Sequence, residues 1–172
     1  MKVRISEIPE NGLEVPVAQS DAWAVDVASS ALEGPVKALG GELELRVEHG
    51  RLLVTGDLSA EVVRSCDRCG EELTLEIEGA VDLTYRPVEP GGEGVRELGG
   101  AELEFGFYAG NDFDIADSVS EFFALGLPMR VLCDIPGARP HGEGCDADFL
   151  KRAQPKQVDP RFAALKNLKF EN

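Results

Sequence analysis

Residues 51–85 read RLLVTGDLSAEVVRSCDRCGEELTLEIEGAVDLTY, and apolar side chains alternate with polar ones on both sides of the cysteine pair. The alternating apolar positions are Leu52, Val54, Leu58, Ala60 and Val62 before the pair, and Leu73, Leu75, Ile77, Val81, Leu83 and Tyr85 after it. A period of two indicates half-buried antiparallel strands with one apolar and one polar face. The stretch therefore predicts a hairpin that carries Cys66-Asp-Arg-Cys69 at its tip.

Further strands are predicted on the N-terminal side of this hairpin. Alternating residues over 42–47 lead into His49-Gly50, a pair that favours a tight turn into the strand that begins at Arg51. Residues 3–5 and 13–17 alternate as well, and the turn-forming residues between them predict a first hairpin. The segment 42–47 and the two arms of the cysteine hairpin form a predicted three-stranded meander.

Three segments have apolar residues at helical spacing. The first begins after Ser20 or Asp21, the second begins after Asp114 and ends at Gly126, and the third follows Asp159-Pro160. Their apolar positions are Trp23, Val27 and Leu32; Ile115, Val119, Phe122 and Phe123; and Phe162, Leu165 and Leu168. The second segment has the most regular spacing, with apolar residues at i, i+4, i+7 and i+8.

Together these elements predict an α+β fold, mainly an antiparallel β-sheet with one or two packed helices and a basic C-terminal helix. The spacing leaves open whether the sheet closes into a barrel. We expect residues 1–150 to form one acidic, β-rich domain, with a mobile Gly- and Pro-rich loop at 86–100 and an irregular cysteine-containing loop at 133–145. Residues 151–172 are expected to form a separate basic tail.

The length and composition set broad limits on the class of protein. A chain of 172 residues with 43% hydrophobic content suits one globular domain with a buried core. No apolar run approaches the roughly 20 residues that a membrane helix requires, and the N-terminus has no signal-like apolar region. We therefore expect a soluble cytoplasmic protein with no membrane partner.

The charge is distributed unevenly along the chain. Residues 151–172 have six Lys and Arg against two Asp and Glu, a net charge of +4, whereas residues 1–150 have eleven against thirty, a net charge of −19. The acidic body repels phosphate backbones and attracts basic proteins. If nucleic acid is bound, we therefore expect the contact in the tail, through Lys151, Arg152, Lys156, Arg161, Lys166 and Lys169. The alternative is that the charges only keep the body soluble and that the tail folds back on it.

The four cysteines are candidate zinc ligands. Cys66 and Cys69 are separated by two residues, a spacing that directs two thiolates toward one metal ion. Cys133 and Cys145 would complete a closed structural site, or His141 could replace one of them. The alternative is that all four are free thiols that pack against a hairpin tip and a loop.

The sequence favours a protein without enzymatic activity. A redox-active CxxC motif commonly precedes a helix whose N-terminus lowers the thiol pKa, whereas here the motif lies between two strands. With His49 and His141 as the only histidines, a histidine-based triad would need a coincidence of folding. No phosphate-binding glycine motif is present. We expect no catalytic residue and no small-molecule substrate, with thiol redox chemistry as the enzymatic alternative.

Several of these features occur in one order along nearly the whole chain. They are Cys66-Asp-Arg-Cys69 after an alternating strand, the helix at Asp114-Ile115, Leu125-Gly-Leu-Pro-Met129, Cys133, and Asp159-Pro-Arg161 with Leu165 and Leu168. In this order the chain resembles the YceD family, bacterial and plastid proteins linked to accumulation of large-subunit ribosomal RNA. Many members have a denser cysteine cluster after the Leu-Pro-Met element.

The resemblance implies a non-enzymatic factor in assembly of the large ribosomal subunit. Its expected partners are large-subunit ribosomal RNA or its precursor and a basic ribosomal protein. The alternative is an adaptor or chaperone for one basic ribosomal protein, with no RNA contact. Arg68 is a further candidate contact, because at the hairpin tip it could meet a phosphate or carboxylate of the partner; equally, it could pair with Asp67 or Glu71.

Overall fold

Three long antiparallel strands form the centre of the protein in the computed structural model, which describes residues 1–88 and 105–145. The strands are β1 (Lys2–Arg4), β2 (Leu13–Ala18), β3 (Val36–Glu48), β4 (Arg51–Ser65), β5 (Glu72–Pro87), β6 (Gly106–Tyr108), β7 (Asp112–Asp114) and β8 (Ala138–Pro140). The helices are α1 (Ala22–Ala31) and α2 (Ile115–Gly126), and a short 3-10 helix spans Ile5–Glu7. Neither α-helix has the length and apolar content needed to cross a membrane.

The predicted meander is confirmed. β3 pairs with β4 and β4 pairs with β5, both antiparallel, and Ser65 lies opposite Glu72 next to the cysteine turn. His49 and Gly50 join β3 to β4 with φ angles of 50° and 74°, the left-handed conformation that a tight hairpin turn requires. Alternation over these strands therefore predicted both the pairing and the position of the CxxC motif.

Three further strands extend this meander into a six-stranded sheet: β2 and β6 give the order β2-β3-β4-β5-β6, and β8 joins the sheet beside β5, off this path. β6 pairs parallel with the end of β5 at Tyr85, and β8 pairs antiparallel with its beginning at Leu73. β1 and β7 form a separate two-stranded sheet. The α+β prediction is confirmed, and the described strands form no closed barrel.

The prediction of a first hairpin from residues 3–5 and 13–17 is wrong. Val3 of β1 lies opposite Phe113 of β7, whereas Leu13 of β2 lies opposite Leu45 of β3. The backbone N–H of Ile5 continues the first pairing by donating to the carbonyl of Asn111. Alternation identified both strands, but it contains no information about which distant strand offers the better apolar partner.

The apolar face of the sheet packs against α1 and α2. Ile115, Val119 and Phe123 of α2 are buried as predicted, and the Asp114 carboxylate caps the helix by accepting from the N–H of Ala116 at 3.1 Å. In α1 the fully buried positions are Ala24 and Ala28, and Leu32 directly after the helix is buried as well, while Trp23 and Val27 are only partly buried. The small alanine side chains let α1 pack closely against its neighbours. The buried face of α1 is therefore the face that carries the alanines, not the face that carries Trp23 and Val27.

Two predicted segments extend beyond the described residues. β5 continues through Arg86 to Pro87, so the predicted loop at 86–100 begins later than expected, and its residues from 89 onward lie outside the described part of the chain. The Arg86 guanidinium lies 3.6 Å from the centre of the Phe105 ring, a contact that helps to hold this end of the strand. The predicted basic tail, residues 151–172, also lies outside the described residues.

Two glycines let the long strands β3 and β4 pass each other closely. Gly41 and Gly56 have φ angles of +148° and +146°. A Cβ atom at Gly41 would lie 2.1 Å from the carbonyl oxygen of Asp57, and one at Gly56 would lie 2.0 Å from that of Glu42. Both contacts are with backbone atoms, so neither can be relieved by a side-chain rotation.

We therefore expect Gly41→Ala to destabilise the protein by about 1–3 kcal/mol, because the new side chain meets backbone in a conformation that L-residues rarely adopt. The neighbouring Gly40→Ala is the matched control, since its nearest contact would be the Ser59 hydroxyl at 3.9 Å. Its free energy of unfolding should stay within about 0.5 kcal/mol of the parent in urea denaturation. Equal effects of the two substitutions would contradict this account.

Candidate metal centre

The hairpin between β4 and β5 ends in a tight turn, and backbone N–H groups of this turn point toward the sulfur of Cys66. The N–H of Cys66 donates to the carbonyl of Glu71, and the N–H of Gly70 donates to the carbonyl of Cys66, both at 2.8 Å. The N–H of Arg68 points to the Cys66 sulfur at 3.5 Å. Burial raises the pKa of Cys66, but hydrogen bonds from the amides of Cys69 and Arg68 and from the Cys145 and Cys133 thiols together lower the pKa to about 6.

Cys133 and Cys145 belong to two loops, and hydrogen bonds from residues of the turn hold both loops beside it. The N–H of Asp67 donates to the carbonyl of Val131 at 2.8 Å, and the N–H of Val131 donates to the Asp67 carboxylate at 2.7 Å. This reciprocal pair fixes the chain two residues before Cys133. The Glu71 carboxylate accepts from the N–H of Gly144 at 2.6 Å, which fixes the chain next to Cys145.

The four sulfur atoms lie within 4.8 Å of one another. The Sγ atoms of Cys66 and Cys145 are 3.5 Å apart, and those of Cys69 and Cys133 are 3.6 Å apart. A tetrahedral zinc ion with Zn–S bonds of about 2.3 Å would separate its sulfur ligands by about 3.8 Å. The number, chemistry and spacing of the donors therefore fit a closed four-thiolate metal site.

The electrostatics of the thiols also favour a cation among them. Burial and the neighbouring Cys66 sulfur raise the pKa of Cys133 to about 12. The pKa of Cys69 is raised as well, although the amide of Glu71 opposes the change, because Cys145, burial and Cys66 act against ionisation. Four adjacent thiolates repel one another, and a bound divalent cation removes that repulsion.

His141 does not belong to this cluster. Its Nδ1 atom lies 2.8 Å from the Glu72 carboxylate, and its Nε2 atom lies 2.8 Å from the Thr74 hydroxyl. The backbone N–H of His141 also donates to the carbonyl of Glu72. The structure thus places His141 where it fastens the loop after β8 to β5, and it favours Cys145 as the fourth ligand.

Arg68 lies beside the cluster and turns toward the loop that carries Cys133. Its guanidinium donates to the Asp134 carboxylate at 2.7 Å, which raises the pKa of Arg68 and lowers that of Asp134. The Cys145 sulfur is a second neighbour of the same guanidinium. Arg68 thus pairs within the chain, as in the alternative to an outward contact, but its partner is Asp134, 66 residues away in sequence, and not Asp67 or Glu71.

The structure thus brings four of the predicted site residues together and leaves six outside its described part. Cys66, Cys69, Cys133 and Cys145 form the cluster. The outside residues are Lys151, Arg152, Lys156, Arg161, Lys166 and Lys169. Sequence reasoning missed Asp67, Glu71 and Asp134 as residues that hold the cluster. Their partners are 64–73 residues away, so no local spacing could have identified them.

The fold and the cluster define a β-rich α+β protein with a candidate structural metal centre. Residues 54–169 of this chain match the family model described as Large ribosomal RNA subunit accumulation protein YceD. The chain therefore belongs to the YceD family, as its motifs indicated. The matched range begins within β4 and contains all four cysteines. Neither the curated proteins nor the solved structures include a significant match.

We expect one thiophilic divalent ion per chain, with Cys145 and not His141 as a ligand. Titration with Co²⁺ should give the intense visible absorption of tetrahedral thiolate-bound cobalt at a stoichiometry of one, because four sulfurs surround one position. Cys145→Ser should abolish or strongly weaken that absorption, whereas His141→Ala should leave it intact. Loss of the signal in His141→Ala with retention in Cys145→Ser would contradict the assignment.

Arg68 should support metal binding from outside the ligand set. Arg68→Ala removes a cation beside Cys145 and the link to Asp134, so we expect metal affinity to fall by about 10–100-fold. Arg4→Ala is the matched control, because Arg4 also pairs with two carboxylates, Glu7 and Asp112, but lies in β1, outside the segments that carry the cysteines. Competition with a chromophoric chelator measures both variants. Equal affinities for Arg68→Ala and the parent would show that Arg68 does not support the site.

Proposed function

We propose that the protein is a non-enzymatic factor for assembly of the large ribosomal subunit that promotes accumulation of large-subunit ribosomal RNA. Membership of the YceD family is the observation that carries this proposal. The factor would act by binding ribosomal RNA, a basic ribosomal protein, or both. The uneven charge of the chain supports a division of these contacts between its tail and its body.

A structural zinc ion is part of the proposal. Thiolates are soft ligands that select zinc over magnesium or calcium, and a four-thiolate set leaves no open position for a substrate. Cys66 and Cys69 would hold the ion from the hairpin tip, while Cys133 and Cys145 would hold it from the loops. Bound zinc supplies the cross-link that keeps these irregular segments together.

Several features support a role without catalysis. The cysteine motif lies between two strands, so no helix N-terminus activates it. Cys66, the thiol whose pKa is lowered, is buried, and the pKa values of the more accessible Cys69 and Cys133 are raised, which disfavours an accessible thiolate of the kind that redox chemistry needs. The imidazole of His141 has both nitrogens engaged with protein groups. Thiol redox chemistry is therefore the less favoured alternative.

The partner contacts follow from the two signs of charge. The tail has a net charge of +4 and is the part suited to a phosphate backbone, whereas residues 1–150, with −19, are suited to a basic protein. If the tail contributes nothing, the protein is instead an adaptor or chaperone for one basic ribosomal protein. The strong acidity of the body is the observation that favours this second candidate.

Sedimentation of the tagged full chain from a gentle lysate tests the main proposal. The protein should migrate with large-subunit precursors in a sucrose gradient at low salt and should move to the top after high salt or ribonuclease, because charged contacts to RNA are screened by salt. A protein that stays at the top of the gradient under every condition would overturn the assembly role.

Charge reversals in the tail separate RNA binding from protein binding. Lys151→Glu combined with Lys166→Glu and Lys169→Glu should weaken binding to large-subunit ribosomal RNA and make it less dependent on salt, by about 0.7–0.9 in the log–log slope for each phosphate that the tail no longer neutralises. Reversal of Arg4 and Lys37, which lie within the body, is the control and should change RNA binding little. Equal reductions in affinity would contradict an RNA contact through the tail.

A further inference from the structure

The polar face of the large sheet, here called the outer face, is covered by carboxylates. It consists of the side chains of β2, β3, β4 and β5 that point away from α1 and α2. The acidic residues of the outer face are Glu14 in β2, Glu42 and Glu44 in β3, Asp57 and Glu61 in β4, and Glu76, Glu78 and Asp82 in β5. The paired registers place these side chains in rows across the sheet rather than scattering them over the surface.

Carboxylates lie directly opposite each other in neighbouring strands at three places. Glu14 is paired with Glu44, Glu42 with Asp57, and Glu61 with Glu76. Like charges at opposed positions destabilise a sheet, because their Cα atoms are only about 4.5–5.5 Å apart. Where the protein itself supplies no cation beside such a pair, stability of the sheet gives no reason for the arrangement, and a ligand of opposite charge gives one.

Counter-charges occur at the two ends of the outer face. Arg46 pairs with Glu44 at 2.7 Å, and Arg139 of β8 bonds both Glu61 and Glu76. Within residues 1–88 and 105–145, no ion pair involves Glu42, Asp57 or Glu78, and all three are exposed. The middle of the face is therefore the part that keeps a negative potential open to solvent.

The same middle part contains a shallow groove. A concavity of about 400 Å³ is lined by Gly40, Asp57, Ser59 and Glu78, among others, and an adjoining one of about 260 Å³ shares Gly40 and Ser59. Small residues, among them Gly41, Gly79 and Ala38, also line the two concavities, so a ligand can approach the sheet backbone. Carboxylates stand at the sides of the groove, where they can reach cationic side chains.

We propose that the outer face binds an extended, lysine- and arginine-rich segment of a protein partner. This inference rests on the proposed function and names the surface for its basic protein partner. Glu78 and Asp82 have no ion pair among the described residues and lie four residues apart in β5, about 13.6 Å along the strand. Every second side chain of an extended partner repeats at about 6.8 Å, so alternate cations of such a partner match this spacing.

The charge of the surface also decides between classes of partner. A phosphate backbone would be repelled by the unpaired carboxylates, so RNA is not the ligand of this face. A guanidinium or ammonium group would relieve the repulsion between Glu42 and Asp57 at the same time as it binds. The repulsion that destabilises the free protein is therefore relieved in the complex.

Fluorescence anisotropy with the full chain tests the surface. The probe is a labelled peptide of about twelve residues with arginine at every second position, compared with a peptide of equal composition whose arginines form one block. The alternating peptide should bind more tightly. Glu42→Gln combined with Asp57→Asn and Glu78→Gln should weaken its binding by about tenfold, from three partly screened charge contacts.

The control variant combines Glu7→Gln, Glu10→Gln and Asp26→Asn, which remove the same net charge from exposed positions off the outer face. It should keep peptide affinity within about twofold of the parent. Equal weakening by both triple variants would overturn the inference, because net charge alone would then explain binding. Carbodiimide cross-links from Glu42, Asp57 or Glu78 to Lys151 or Lys169 of the same chain would also overturn it, because the tail would be the occupant.

Sucrose-gradient sedimentation of the same two variants separates this inference from the proposed function. Release of the outer-face variant from large-subunit particles, with retention of the control, supports both. If the parent and the outer-face variant sediment equally with these particles, the surface is not the partner site and the assembly role stands. If the parent binds the peptide through the outer face but never sediments with the particles, the surface stands and the assembly role fails.

Discussion

Four thiols that meet at one point cannot all be ionised unless a cation lies among them, and this constraint shapes one end of the protein. Cys133 and Cys145 belong to segments with little regular structure, and β8 contributes only three residues. These segments are instead tied to the hairpin tip by Asp67 and Glu71, which bond backbone amides beside each distant cysteine. The carboxylates hold the loops in place, and a metal ion would convert the arrangement into a strong cross-link.

The elements that the sequence revealed are those determined by local periodicity. Alternation from Leu52 to Tyr85 specified a hairpin because each residue of one arm meets a near neighbour of the other across a short turn. Helical spacing from Ile115 to Phe123 specified the buried face of α2 for the same reason. The partner of β1 was not accessible in this way, because Val3 pairs with Phe113 from the far half of the chain. Periodicity shows which face of a strand is apolar, whereas the choice of a pairing strand depends on which distant segments pack together in the folded protein.

The candidate metal site could likewise be predicted only in part from the sequence. The CxxC spacing identified two donors, and the cysteine count limited the rest to Cys133, Cys145 or His141. Only the fold could choose among them, since His141 is drawn away by Glu72 and Thr74 on β5. The partners of Arg68 could not be predicted from the sequence either. Its exposed position in the tip suggested an outward contact, but the folded loop supplies Asp134 and the Cys145 sulfur as neighbours.

The cysteine centre and the acidic outer face are parts of one structure. Arg139 lies in β8, between the two distant cysteines, and its guanidinium bonds Glu61 and Glu76 at one end of the outer face. Gly137, two residues earlier, accepts from the N–H of Glu76 through its carbonyl. Arg139 is held against the sheet by the pairing of β8 with β5, in which it lies opposite Thr74. A metal bound by Cys133 and Cys145 would add a cross-link at both ends of this segment. The segment between the two cysteines thus sets where the open negative surface of the sheet ends, because it supplies the counter-charge for Glu61 and Glu76.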